Sequence, residues 1–305
     1  MKHSPTCASA TAASWLTVAV TLATPAAFAA DTRFGAEVGV QHENNVNRGV
    51  AGQERSDQSL NVEGYAARSI QTGSRSGFVT RFALRGTGYR EFSYISYVAA
   101  AARFNWRFQP DPRVTGVWFD VFGTAELRQH ADSDLRDGQL LSLGIGTGKY
   151  FTDALRLAAN VSQERRFARQ GTLYDLSNTR VAGTIDLRLS PSATLYGSAA
   201  WIGGDQVFTY GSYGNSGPGP YAYAYNGRTD WYSTAAWDPA FRDGGTRFTA
   251  YRAEASTTVL EIGLNYAFTG QQALDVSLSR FDARAKNGPS YEGIALRAAY
   301  MVRFH

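Results

Sequence analysis

The 305-residue chain has one cysteine, two methionines and, among 30 basic residues, three lysines (Lys2, Lys149 and Lys286). A lone Cys7 excludes a disulfide framework and a cysteine-rich metal domain. No segment reaches the 18 continuous apolar residues that a transmembrane helix needs. Charged residues make up 18%, below the ~25% of an average soluble domain. Yet hydrophobics stand at 44%, too many for a disordered chain. Arginine, glycine (31) and tyrosine (17) fill the gap.

The first 29 residues carry an export signal. Lys2 and His3 give a positive start, Trp15–Leu22 an apolar stretch, and Ala27-Phe28-Ala29 the small residues of a cleavage site. The stretch is too short to span a bilayer of ~30 Å. Cleavage after Ala29 would remove Cys7 and leave one domain, residues 30–305.

Beyond it, apolar and polar residues alternate in twelve segments. In the first, Phe34, Ala36, Val38 and Val40 share one face, with Arg33, Glu37 and Gln41 on the other. In the fourth, Val98, Ala100, Ala102, Phe104, Trp106 and Phe108 oppose Arg103, Asn105 and Arg107. In the last, Ile294, Leu296, Ala298, Tyr300, Val302 and Phe304 oppose Arg297 and Arg303. Period two means strands with two unlike faces.

Two features separate a membrane barrel from a soluble sandwich. The segments run to about ten residues, the length a tilted strand needs to cross a bilayer. Their connections alternate, short at 71–76, 109–113, 151–154, 190–193 and 269–273, longer at 43–57, 128–139, 165–177, 203–257 and 285–291, with 91–96 the shortest of the long set. Short turns at one rim and long loops at the other characterise such barrels. Closure also satisfies every backbone amide in lipid. The expected fold is all-β, a transmembrane antiparallel up-and-down barrel of about 12 strands, with 10 and 14 as alternatives, and with a long extracellular loop at about 203–257.

The C-terminal alternation ending in Tyr300, Val302 and Phe304 resembles the closing strand of bacterial outer-membrane β-barrels. That resemblance implies the outer membrane as location, with lipid bilayer and lipopolysaccharide as surroundings, and the barrel-assembly machinery as a partner reading those three residues. His305 follows the aromatic and departs from the pattern by one residue. The stretch Gln41-His42-Glu43-Asn44-Asn45-Val46-Asn47-Arg48 resembles the opening hairpin of barrels encoded with exopolysaccharide genes and of surface-lipoprotein assembly modifiers.

With apolar residues facing lipid, the opposite face lines the lumen. It carries Arg81, Arg85, Arg103, Arg107, Arg156, Arg180, Arg188 and Arg297, candidates for binding anions bidentately. Arginine arrays are one way that pores favour anions. The competing reading is a structural network in which lumen carboxylates pair those arginines. The 203–257 segment adds Tyr210, Tyr213, Tyr221, Tyr223, Trp231 and Trp237, which stack on sugars or belong to an interfacial belt.

The leading expectation is a porin-like passive channel for small anionic or saccharide solutes. The alternatives are a plugged barrel serving exopolysaccharide export or surface assembly, and a lipid-modifying enzyme. His42, His130 and His305 show no nucleophile–base spacing, so no catalytic residue is assigned. Asp132–Gly138 alternates oxygens like a calcium loop but lacks the glutamate at the twelfth position. No metal or cofactor is expected. Nor is nucleic acid, because the arginines are dispersed through strands rather than clustered.

Overall fold

The computed structural model describes residues 32–111, 113, 115–213, 231–243 and 246–304. The expected export signal and Tyr221 and Tyr223 lie outside the described residues, as does the side chain of Tyr213. The strands are β1 (Thr32–Glu43), β2 (Asp57–Gly73), β3 (Ser76–Tyr89), β4 (Tyr97–Phe108), β5 (Trp118–His130), β6 (Gly138–Tyr150), β7 (Leu155–Ala168), β8 (Leu176–Arg188), β9 (Ala193–Tyr213), β10 (Thr234–Asp243), β11 (Thr246–Ala267), β12 (Gln272–Ala285) and β13 (Ser290–Phe304).

Twelve of them close a ring. Each wall strand pairs antiparallel with its neighbours, β1 meets β13 from Phe34↔Phe304 to Glu43↔Ala295, and β9 meets β11 directly. β10 stands outside the ring and pairs only with the first part of β11. The twelve alternating segments of the sequence are the twelve wall strands, extended at both ends to 12–22 residues.

Period two fixes which face is which. Val38, Val40, Leu60, Val62, Leu84, Leu143, Ile145, Leu260 and Ile262 are exposed although apolar, which is tolerable only against hydrocarbon. Aromatics collect on that face near the short-turn rim. Phe78 stacks on Phe104 and Trp106 on Phe108, both at 6.1 Å, and Tyr266 meets Phe268 edge-on at 5.3 Å. This is the girdle expected where headgroups meet the acyl region. Toward the long-loop rim the outward positions of β11 to β13 turn charged, with Arg280 paired to Glu292, Arg284 to Asp282, and Lys286 to Glu254.

The long-loop rim departs from a plain cylinder. The β8–β9 ladder stops at Asn178↔Gly204, and the β11–β12 ladder begins at Ala255↔Ala285. β9 and β11 stay paired beyond both flanks as far as Thr246↔Tyr213. They leave the wall together at Gly204, whose φ of +136° suits glycine alone. A Cβ there would sit 2.2 Å from the Ser177 carbonyl oxygen. The segment Gly203–Thr257 thus holds the ends of β9 and β11 and all of β10.

Both faces of this departing hairpin are buried, as consecutive Val207, Phe208 and Thr209 show. One face sets Phe208 and Tyr251 against Ala283, Ala285 and Tyr291 on the inner side of β12 and β13. The other sets Val207 and Ala250 against Leu173 and Tyr174 of the β7–β8 loop. On that same face Phe248 meets Val46 of the β1–β2 loop and Phe92 and Ile95 of the β3–β4 loop. In a twelve-strand ring β4 lies diametrically across from β11. A contact between Phe248 and the β3–β4 loop therefore requires the hairpin to cross the mouth.

Hydrogen bonds hold it there. Gly49 forms a parallel bridge with Thr209, and the Thr209 hydroxyl donates to the Asn47 carbonyl at 2.6 Å. Gln53 donates to the Gly211 carbonyl and accepts from its N–H. Arg252 donates to the carbonyls of Thr172 and Asp175 at 2.7 and 2.8 Å. The asparagines of the β1–β2 loop replace missing ladder bonds. The Asn45 amide donates to the carbonyls of Gly49 and Glu292 while its oxygen accepts from Gly49 N–H, and Asn47 bridges Gln53 and Arg55. Loop backbone can be buried only when its polar groups find such partners.

Candidate functional site: the barrel lumen

Inward positions of β3 and β4 hold four of the eight arginines singled out in the sequence. The Glu63 carboxylate accepts from Arg81 and, at 3.0 and 2.8 Å, from Nε and a terminal nitrogen of Arg85. Arg85 also approaches Glu126 at 3.8 Å, and Glu126 accepts from Arg128. Arg107 grips Asp120 bidentately at 2.8 and 3.1 Å. Asp120 further accepts from the Trp118 indole, and the Arg107 guanidinium lies 4.8 Å from that ring. Elsewhere Arg156 pairs with Asp186, and Arg297 is shared between Glu37 and Asp275. Five of the eight arginines are thus neutralised locally, by carboxylates on β1, β2, β5, β8 and β12.

Arg103, Arg180 and Arg188 differ. Among the described residues none has a carboxylate within 4.0 Å. Arg103 is exposed although it points inward, so the lumen at its level holds water rather than packed side chains. It sits directly across from Arg81 in the β3–β4 register and reaches Glu63 only through its longer-range field.

Several lumen arginines also lie over aromatic rings. Arg81 stands 3.8 Å from the Tyr65 centroid and Arg128 4.3 Å from that of Tyr97. Arg136 and Arg166 both stand over Tyr174. Tyr65 in turn lies flat on Gly35, where a Cβ would come within 2.4 Å of the ring. Such contacts stabilise a cation by about 0.5–2 kcal/mol and fix the guanidinium plane. At the mouth, burial works against the charge of Arg48, but the Glu43 carboxylate together with Tyr291 and Tyr89 outweighs it and keeps that guanidinium pKa above its usual value.

A closed ring, an apolar belt outside and charged groups inside settle the class. The chain is a closed antiparallel β-barrel of the membrane-spanning kind. Among solved structures it is similar to an outer-membrane channel from Pseudomonas putida F1, with 12% identity over 92% of this chain and 99% of that one, at a TM-score of 0.56. It is also similar to the NanC porin (8% identity, 88% and 98% covered, TM-score 0.49). The KdgM porin, solved in complex with disordered oligogalacturonate, matches at 8% identity, 89% and 99% coverage and a TM-score of 0.45. No protein-family model and no curated protein matches the sequence.

The remaining sequence candidates are distributed as follows. Trp231 is buried in the barrel's mouth cluster with Phe208, Tyr232 and Tyr251, and Tyr210 packs against that cluster. Trp237, on β10, is exposed. Tyr300 and Phe304 face outward and exposed at the short-turn rim, with Val302 half-buried between them. Sequence reasoning missed Arg128, Arg136 and Arg166, which gather near the long-loop rim around Tyr97 and Tyr174. Arg128 and Arg166 continue the inward parity of β5 and β7, two positions after Glu126 and Glu164, whereas Arg136 lies in a loop. His130 and the Asp132–Gly138 stretch form a tight turn. There the Asp137 carboxylate accepts from the His130 N–H at 2.6 Å and faces its ring.

Proposed function

We propose that this barrel is a passive channel for small anionic or saccharide solutes, with the arginines of the lumen as their track. The observation that carries the reading is Arg103, a permanently charged guanidinium facing pore water with no carboxylate in contact. Arg180 and Arg188, equally without an ion-pair partner, extend the supply of such groups on the far wall. The paired arginines keep the tube in shape and contribute little net field. The exposed aromatic Trp237 is a candidate for sugar contact at the mouth. In the same reading Tyr300, Val302 and Phe304 serve the barrel-assembly machinery, and lipopolysaccharide surrounds the outer rim.

A second reading has one specific observation in its favour. The β9–β11 hairpin crosses the mouth and is bonded to two loops, as a plugged accessory of export or surface assembly would require. Planar-bilayer recording separates the two. The wild-type barrel is compared with a variant in which Gln206–Ala253 is replaced by a short Asn-Gly turn. A conducting wild type with anion preference, weakened by Arg103→Gln, supports the channel. A silent wild type with a conducting trimmed variant favours the plugged accessory. Silence in both, or cation preference, overturns the channel reading.

A further inference from the structure

At one depth of the lumen, two charges that lack ion-pair partners among the described residues lie on opposite arcs of the ring, while Glu164 of β7 and Arg180 of β8 stand nearer the long-loop rim and Arg188 at the short-turn end. Arg103 belongs to β4, beside Arg81 and Arg85 on β3. Across the lumen, the inward positions of β11, β12 and β1 carry Glu261, Asp275 and Glu37. Asp275 and Glu37 are held by Arg297. Glu261 is not. Its carboxylate receives a single long contact, from the Ser198 hydroxyl at 3.5 Å, and among the described residues no cation lies within 4.0 Å of it. In the ring order β11 is six strands from β4, the largest separation that twelve strands permit. Glu261 sits six residues above the short-turn end of β11, and Arg103 five above that of β4, so the two share nearly one depth.

We propose that the lumen is polarised across its width at this depth, with Arg103 and Glu261 as the two uncompensated poles there, and that it selects short solutes bearing a carboxylate at one end and an ammonium at the other. The inference rests on the channel reading and goes beyond its anionic and saccharide solutes to zwitterionic ones. A twelve-strand ring with a spacing of ~4.8 Å and a tilt of ~40° has a Cα diameter of about 24 Å. Side chains of arginine and glutamate project inward and leave on the order of 12 Å between the charged groups. A single small ion cannot touch both. An extended chain of about three residues, at roughly 3.3–3.6 Å each, can. Such a solute lies along the transverse field with both ends satisfied, and reversing or blanking either end removes half of the attraction. Low dielectric walls focus that field.

The test uses the trimmed barrel described above in planar bilayers, with triglycine as the probe. Current block by zwitterionic triglycine is compared with block by its N-acetyl and C-amide forms. Either cap is expected to weaken block about tenfold. In Arg103→Gln, amidation should cease to matter while acetylation still does. In Glu261→Gln the pattern reverses, and Glu261→Asp, which keeps the charge, should retain the wild-type pattern. Heat-modifiable migration confirms that each variant is folded. Block indifferent to both caps overturns the proposal. So does block weakened by amidation alone with Glu261→Gln silent, which describes a simple anion site. In both of those outcomes the barrel still conducts, so the channel reading survives. Absence of conductance would overturn that reading first.

Discussion

Replacing Glu63 by glutamine separates a structural arginine network from a set of free anion sites. In the wild type one carboxylate receives three charge-assisted hydrogen bonds from Arg81 and Arg85, and the longer-range field of Arg103 falls on it too. The amide keeps the shape but loses the charge, and its nitrogen side meets donors. Breaking a fully buried pair from one side costs about 3–5 kcal/mol, because a charge is left uncompensated. Here the Arg81 and Arg85 side chains are 32% and 26% exposed, to pore water. Screening by that water brings the expected cost down to about 2 kcal/mol, a factor of about 30 in the folding equilibrium. Urea-dependent folding into detergent micelles, read by heat-modifiable migration, measures it. Adding Arg81→Gln to the Glu63→Gln background should recover part of the loss, since it removes a charge that has become unpaired. Glu63→Gln as stable as wild type, or a double variant weaker than the sum of the singles, would refute the network.

Two further substitutions probe the wall and the crossing. Leu143→Arg places a charge on the lipid face of β6, where Leu143 is 60% exposed, and should cost about 2–4 kcal/mol. Ser142→Arg, one residue away on the lumen face, should cost far less in the same folding titration, and equal costs would mean the faces are misassigned. Gly204→Val introduces a Cβ against the Ser177 carbonyl at a φ closed to branched residues. It should displace the hairpin at a cost of about 1–3 kcal/mol, with faster proteolysis after Arg252 in intact cells as the readout. Unchanged cleavage would deny Gly204 its role as the departure point.

The ring itself was legible because lipid imposes a pattern. Every strand with one face in hydrocarbon must alternate, so Leu141, Leu143 and Ile145 declare themselves even in a glycine-rich stretch. The hairpin crossing the mouth lies under no such constraint. Where Val207, Phe208 and Thr209 are all buried, with partners on both faces, alternation carries no information. Tyrosine and glycine there read as loop, although the backbone is strand. The lumen was half legible. Parity put Arg81, Arg85, Arg103 and Arg107 on the inner face, but their partners depend on register. Glu63 lies 18 and 22 residues from Arg81 and Arg85 in sequence, and only the β2–β3 ladder makes them neighbours. The lumen acids expected from parity alone could not be divided into those spent on arginine and the two among the described residues, Glu164 and Glu261, that are not.

The scarcity of lysine follows from the same geometry. Of the three lysines in the chain, Lys149 has the outward parity of β6, where it stands over Phe151 at the short-turn rim, and Lys286 pairs with Glu254 on the outer surface at the long-loop rim. Lys2 falls in the segment expected from sequence to be an export signal. None serves the lumen. Several interior cations meet more than one demand at once. Arg85 binds Glu63 through two nitrogens while turning a third toward Glu126, and Arg107 binds Asp120 edge-on while its face covers Trp118. Arg81 does the same with Glu63 and Tyr65. A planar fork with a stacking face can satisfy a carboxylate and an aromatic together. An ammonium, a compact and strongly hydrated point charge, would satisfy one and lose the other. In a water-filled tube whose wall is held by cross-strand ion pairs, arginine is therefore the interior cation, and lysine is left to the outer surface.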